Sequence, residues 1–133
     1  MKLALDTNIL IRAVVQDDPA QAQIAAKLLR DAELIAVPTS CICEFVWVLG
    51  RTYKLDRRFI AAALRRLLDN PTLRTNLADA EAGYALYERG GDFADGVIAY
   101  EGGQSGADRF VSFDRNAVRF LEASGVDAFV PVA

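Results

Sequence analysis

The chain has 133 residues, 53% of them hydrophobic and 25% charged, which is the balance of a globular domain with a hydrophobic core. Its net charge of −3 argues against a protein that binds nucleic acid through a generally basic surface. Because there is no histidine, Ser-His-Asp and Cys-His catalysis are excluded, and two cysteines alone argue against a structural zinc site.

The sequence also indicates a compartment. No run approaches the roughly 18 apolar residues of a membrane span, and the start, Met1–Asp6, is too short for a signal sequence. Cys41 and Cys43, flanked by Ile42 and Phe45, are interpreted as small buried apolar residues with reduced thiols. We therefore expect a cytoplasmic protein without membrane contact.

Short apolar segments alternate with helical patterns through the first half of the chain. Asp18 is expected to cap a helix, with Pro19 in its first turn and Gln21 reaching back to the cap. Thr39 or Ser40 is expected to cap a later helix. The predicted strands of this half lie at 2–5, 34–37 and 73–76. The predicted helices lie at 9–15, from 19 onwards, from about 39 to 53, and from the cap Asp56 to a stop at 70–71.

The same alternation continues through the second half. The patterns predict a helix at 78–89 ended by Gly90-Gly91, a helix at 93–104 capped by Asp92, a strand at 109–113, a helix at 116–123 and a strand at 128–130. Because strands alternate with helices, the predicted class is α/β, a three-layer α/β/α sandwich with a central, mainly parallel sheet. We expect a single domain over residues 1–133.

Four carboxylates stand inside or at the end of apolar runs, where an ionised group is costly to bury: Asp6, Glu44, Asp95 and Asp114. Asp6 and Asp114 follow predicted strands, and Glu44 and Asp95 are expected in the first turn of a helix. In parallel α/β folds these positions lie at the edge where ligands bind. One shared partner, a hard divalent cation held by oxygen ligands, would account for all four.

Each acid also has a purely structural interpretation. Asp6 fits a turn at the end of a strand, and Glu44 would complement a helix dipole. Asp95 would partner Asp92 at a helix start, and Asp114 would cap the helix that follows it. Taken one residue at a time these interpretations stay open, whereas a common cation explains the four positions together.

The order of the short motifs resembles that of a known family. The motifs are Leu5-Asp6-Thr7-Asn8, a Glu near a helix start at Glu44, Phe93-Ala94-Asp95-Gly96-Val97-Ile98-Ala99 and Val111-Ser112-Phe113-Asp114-Arg115. Together they resemble a PIN domain, and more narrowly the VapC-type toxins of bacterial type II toxin–antitoxin pairs. The resemblance covers essentially the whole chain.

The resemblance implies a metal-dependent endoribonuclease that hydrolyses RNA phosphodiester bonds with Mg²⁺ or Mn²⁺. The residues that match the family's catalytic and metal-binding positions are Asp6, Glu44, Asp95 and Asp114. Thr7, Asn8 and Ser112 match polar positions that support this cluster, and Asp92 is a nearby acid that would assist it or cap a helix.

The resemblance also implies partners. Members of the family are expected to form homodimers and to be inhibited by a cognate antitoxin, which is often a DNA-binding protein. Because acids repel RNA, basic side chains must hold its backbone, and the candidates are Arg115, Arg12 and Arg51. The aromatic residues, Trp47 and Phe59 among them, are interpreted as core or interface residues rather than as platforms for RNA bases.

Two other functions compete with the nuclease. A phosphotransfer domain is disfavoured because no lysine follows Lys54, and because Asn8 stands where a phosphatase of the haloacid-dehalogenase type needs a second Asp. A catalytically silent PIN-like module that binds metal and acts in a complex with a DNA-binding partner stays open. Loss of metal-dependent cleavage in Asp6→Asn would distinguish the enzyme from the module.

Overall fold

The computed structural model describes all residues from Met1 to Ala133 and contains seven helices and five short strands. The strands are β1 Lys2–Ala4, β2 Leu34–Ala36, β3 Leu73–Arg74, β4 Phe110–Val111 and β5 Ala128–Phe129. The helices are α1 Thr7–Val14, α2 Pro19–Asp31, α3 Thr39–Arg51, α4 Arg57–Leu68, α5 Leu77–Glu88, α6 Phe93–Gln104 and α7 Arg115–Ala123. Every predicted element is present in the predicted order, and the α/β class is confirmed.

The residues cluster into two compact units, Met1–Leu77 and Ala78–Ala133, here called unit 1 and unit 2. The expectation of a single domain over residues 1–133 stays a prediction. No helix combines the length and the apolar character that crossing a membrane requires.

Unit 1 is built on a parallel three-stranded sheet in the order β1-β2-β3. Leu3 is paired with Ile35, and Ile35 is paired in turn with Leu73. Ile35 is completely buried, as are Ile42 and Leu49 of α3. The spacing of seven residues between those two α3 side chains puts them on one helical face, so this face of α3 belongs to the core.

Three predictions about the helix starts in unit 1 need correction. Helix α1 begins at Thr7, two residues earlier than predicted, because Asp6 caps it. Helix α3 has Pro38 at its N-cap and no side-chain cap, so the predicted caps Thr39 and Ser40 are wrong. Consequently no acid lies in the first turn of α3, and Glu44 is the sixth residue of that helix.

The start of α2 is partly as predicted. Asp18 caps the helix by accepting a hydrogen bond from the Gln21 backbone N–H at 3.1 Å. The Gln21 side chain does not reach back to the cap, since its Oε1 accepts a hydrogen bond from Arg12 Nε at 2.8 Å. The expected hydrogen bond from the Gln21 side chain back to the cap is therefore absent, and the side chain contacts α1 instead.

Unit 2 contains the parallel pair β4-β5, with Phe110 paired to Ala128. A small core forms around Leu86, Val118, Leu121 and Ala128. As predicted, Asp92 caps α6, and Gly90 has the positive φ of +100° that a chain leaving a helix adopts.

Helices α5 and α6 approach each other through glycine. A Cβ atom at Gly96 would lie 2.8 Å from the carbonyl oxygen of Ala82 and 2.9 Å from Cα of Gly83. A Cβ atom at Gly83 would in turn lie 2.7 Å from the ring of Phe93. This backbone contact fixes the first turn of α6, which carries Asp95.

Replacing Gly96 with alanine should therefore destabilise the protein by about 1–3 kcal/mol, since the nearest atoms at Gly96 are backbone and cannot rotate away. Gly103 is the matched control, because it lies in the same helix and an added Cβ there would meet nothing within 4 Å. Gly103→Ala should stabilise by roughly 0.5–1 kcal/mol. Urea unfolding of both variants tests the packing, and equal effects of the two substitutions would contradict it.

Candidate active site

Asp6 lies directly after the first strand, at the N-cap of α1. Its Oδ1 accepts a hydrogen bond from the Thr7 backbone N–H at 2.7 Å, and the side chain is exposed. Asp6, which the sequence also allowed as a turn residue at a strand end, is thus the N-cap of a helix. Because the hydrogen bond uses one carboxylate oxygen, Oδ2 remains available to a ligand.

The residue after Asp6 connects α1 to α3. Thr7 is buried, and its Oγ1 lies 3.2 Å from the Sγ of Cys41. The Cys41 thiol is also 3.8 Å from the carbonyl oxygen of Leu5. Cys41 precedes Glu44 by three residues on α3, so this bridge ties the start of α1 to the helical turn before Glu44.

The interpretation of Cys41 as a small buried apolar residue is therefore corrected, since the thiol is only half-buried and is hydrogen-bonded. Burial raises the pKa of the Cys41 thiol, the Thr7 hydrogen bond lowers it, and the negative charges of Asp6 and Glu44 raise it further. Two of the predicted site acids therefore act on one thiol. Glu44 itself is exposed and has no hydrogen bond or ion pair.

In unit 2, two of the acids cap helices. Asp92 Oδ1 accepts from the Asp95 backbone N–H at 3.0 Å. Asp114 Oδ1 accepts from the backbone N–H groups of Asn116 at 2.9 Å and Ala117 at 3.2 Å. Ser112 Oγ accepts from the Asp114 N–H at 3.0 Å, so it shapes the turn that carries Asp114.

Asp95 differs from these caps. Its carboxylate is half-buried and has no hydrogen-bond partner, although its backbone N–H is bound by Asp92. Burial raises the pKa of Asp95 to about 6, and the negative charges of Asp92 and Asp114 add to this shift. Unit 2 therefore brings Asp92, Asp95 and Asp114 close enough for their charges to repel one another.

The donor chemistry of these acids fits a hard divalent cation. Carboxylate oxygens are the ligands that Mg²⁺ prefers. A cation would offset both the burial and the repulsion by Asp92 and Asp114 that raise the pKa of Asp95. The side chains do not, however, form a group of three or more His, Cys, Asp or Glu residues placed to hold a metal ion. The fit therefore lies in residue type and charge, and not in a preformed ligand shell.

The three arginines predicted to contact RNA differ in whether other side chains already bind them. Arg115 and Arg51 are exposed and have no ion pair. Arg12 is already engaged, since it binds Gln21, Asp17 and the hydroxyl of Tyr53, and the Tyr53 hydrogen bond and the Asp17 charge raise its pKa. The remaining predicted polar residue, Asn8, is exposed in the first turn of α1.

The chain matches a known protein family over most of its length. The PIN domain family matches residues 3–122, and the chain therefore belongs to that family. No curated protein matches it. The assignment confirms the predicted α/β class with a mainly parallel sheet. It also indicates a nuclease-type fold and supports a hydrolase that acts on nucleic acid.

The raised pKa of Asp95 has a consequence for stability without metal. Because its pKa is about 6 in the folded protein, against an ordinary value of 3.8, the folded state binds more protons between those pH values. The stability that Asp95 contributes is thus complete below about pH 4 and is lost as the pH rises through 6. We expect Asp95→Asn to become progressively more stable than wild type over this range, measured by urea unfolding in EDTA.

The control for this measurement is the same comparison in an Asp92→Asn background. Removing the Asp92 charge should shrink the pH-dependent difference, since that charge contributes to the raised pKa of Asp95. A difference between Asp95→Asn and wild type that stays constant with pH would contradict the described electrostatics.

The Thr7–Cys41 bridge predicts coupled stability effects. In a double-mutant cycle, Thr7→Val and Cys41→Val each remove one partner while conserving most of the volume. We expect a coupling free energy of about 0.5–1.5 kcal/mol, the usual net value of a hydrogen bond. Cys41→Ser should retain much of it. Additive effects of the two valine substitutions would show that the bridge contributes nothing.

Proposed function

We propose that this PIN domain protein is a metal-dependent endoribonuclease of the VapC toxin type. The proposed catalytic and metal-binding residues are Asp6, Glu44, Asp95 and Asp114. The observation that carries the proposal is the half-buried carboxylate of Asp95, which has no hydrogen bond and whose pKa is raised by burial and by the charges of Asp92 and Asp114. Perturbed carboxylates of this kind mark functional sites, and this one lies within a family of nucleases.

The proposed cofactor is Mg²⁺ or Mn²⁺, whose chemistry when bound is to acidify a water molecule and to neutralise charge on the scissile phosphate. Asp95 would hold it most directly, because its carboxylate has no competing hydrogen bond. Asp6 and Asp114 each have one oxygen committed to a backbone N–H and one available. Their caps hold these carboxylates in place, which lowers the entropic cost of binding an ion.

The supporting residues have defined tasks in this proposal. Thr7 and Cys41 hold the start of α1 against α3, and so steady Asp6 and Glu44. Ser112 orders the turn before Asp114. Arg115 and Arg51, which have no ion pair, would hold RNA phosphates against the repulsion of the acids.

The proposed VapC type also implies a compartment, an oligomeric state and an inhibitor. The protein would act in the cytoplasm as a homodimer, and a cognate antitoxin that also binds DNA would inhibit it. These features rest on the motif order that the chain shares with VapC-type toxins.

A second candidate function is a PIN-like module without catalysis that acts in a complex with a DNA-binding partner. It is favoured by one observation, namely that no three acidic side chains form a preformed ligand group. In that case the caps made by Asp6, Asp92 and Asp114 would be the main roles of these acids.

The nuclease proposal is tested by incubating purified protein with a total RNA pool in Mg²⁺, Mn²⁺ or EDTA. We expect discrete fragments that require the metal. Asp6→Asn and Asp95→Asn should lower the rate by about 100-fold or more, because even the loss of residues that only support a ligand costs roughly 10–100-fold.

Asp56→Asn is the matched control, since Asp56 caps α4 and is not among the site acids. Asn caps a helix nearly as well as Asp, so this variant should cleave at the wild-type rate. Metal-independent cleavage, or full activity in Asp95→Asn, would contradict the nuclease proposal. Absence of cleavage by folded wild-type protein in Mn²⁺ would favour the silent module.

A further inference from the structure

One face of α3 is exposed along its whole length. Its side chains are Ser40, Glu44, Trp47 and Arg51, all of them exposed. Their spacings of four, three and four residues place them on one helical stripe, here called the α3 face. The opposite side of the same helix is buried through Ile42, Phe45 and Leu49.

Trp47 is the largest side chain of the α3 face. It is the only tryptophan in the chain, and 57% of its surface is exposed. The indole has no ring contact, hydrogen bond or ion pair. The sequence predicts that Trp47 is a core or interface residue and not a platform for RNA bases, and its exposure excludes the core. The exposed indole offers a flat aromatic face to a ligand.

The charged residues on either side of Trp47 indicate which kind of ligand the α3 face would bind. On one side, three residues before it, lies the site acid Glu44; on the other, four residues after it, lies Arg51 without any carboxylate partner. The helical rise puts about 10 Å between the Glu44 and Arg51 positions along the axis. An uncompensated cation next to a free aromatic face is the combination by which proteins hold single-stranded nucleic acid.

We propose that the α3 face binds an unpaired nucleotide of the RNA substrate beside the scissile phosphate. The base stacks on the Trp47 indole, and a backbone phosphate pairs with Arg51. This inference rests on the proposed nuclease function, because it takes Glu44 as the edge of the active site. It adds a subsite for one unpaired nucleotide on α3, since paired bases are already stacked within a duplex and cannot reach the indole.

The inference is tested with the full chain in EDTA, so that RNA binds without metal-dependent cleavage. The probe is an unstructured RNA oligonucleotide, used unlabelled for Trp47 fluorescence and labelled with fluorescein for anisotropy. We expect the RNA to quench Trp47 emission with the same midpoint as the anisotropy change. The same strand annealed to its complement should quench far less.

Matched variants separate stacking from charge. Trp47→Ala should weaken affinity by about 30-fold, which is the middle of the range for one stacked base, while Trp47→Phe should recover most of it. Arg51→Ala should weaken binding and reduce the slope of log affinity against log salt by about one. Phe59→Ala removes a similarly exposed aromatic from α4 and should change nothing.

Several results would overturn the inference. RNA binding without quenching, together with wild-type affinity in Trp47→Ala, would remove the α3 face from the substrate path and leave the nuclease proposal intact. If Trp47 emission per molecule changes with protein concentration but not on addition of RNA, the α3 face is a protein interface. Conversely, quenching by RNA in a protein that cleaves nothing in Mn²⁺ would support the α3 face and refute the nuclease.

Discussion

Three acids, Asp6 in unit 1 and Asp92 and Asp114 in unit 2, accept hydrogen bonds from backbone N–H groups at the start of a helix. Helix starts leave such groups without partners, and an Asp at the N-cap supplies an acceptor. The capping role does not compete with a role in metal binding, because each cap uses Oδ1 alone. Instead, the cap determines where the carboxylate stands.

Fixing several carboxylates in this way creates a repulsion that the protein alone does not relieve. At Asp95, which lacks a hydrogen bond, burial and this repulsion together raise the pKa to about 6. In unit 1, burial raises the pKa of Cys41, and the charges of Asp6 and Glu44 raise it further. Such destabilised charge is characteristic of functional sites, where geometry is maintained at some expense of stability.

The order of elements was predictable because short apolar strands and capped helices leave strong local signals, of which Asp56 and Asp92 are examples. The helix starts were less predictable, since Pro38 occupies an N-cap without any side-chain hydrogen bond. The partners of the site acids depend on tertiary packing. No local pattern joins Thr7 to Cys41. The exposure of Trp47, in contrast, follows a local signal, because Ser40, Glu44 and Arg51 share its face of the helix.

The proposed cation site at Asp95 is tested most directly by the titration of Asp95 itself. The measurement is a ¹³C NMR titration of the Asp95 carboxyl, assigned by comparison with Asp95→Asn, with and without saturating Mg²⁺. We predict a pKa of about 6 without the cation, and a fall of this pKa to below the ordinary range when Mg²⁺ is present. An Asp95 pKa that Mg²⁺ leaves unchanged would contradict the cation site.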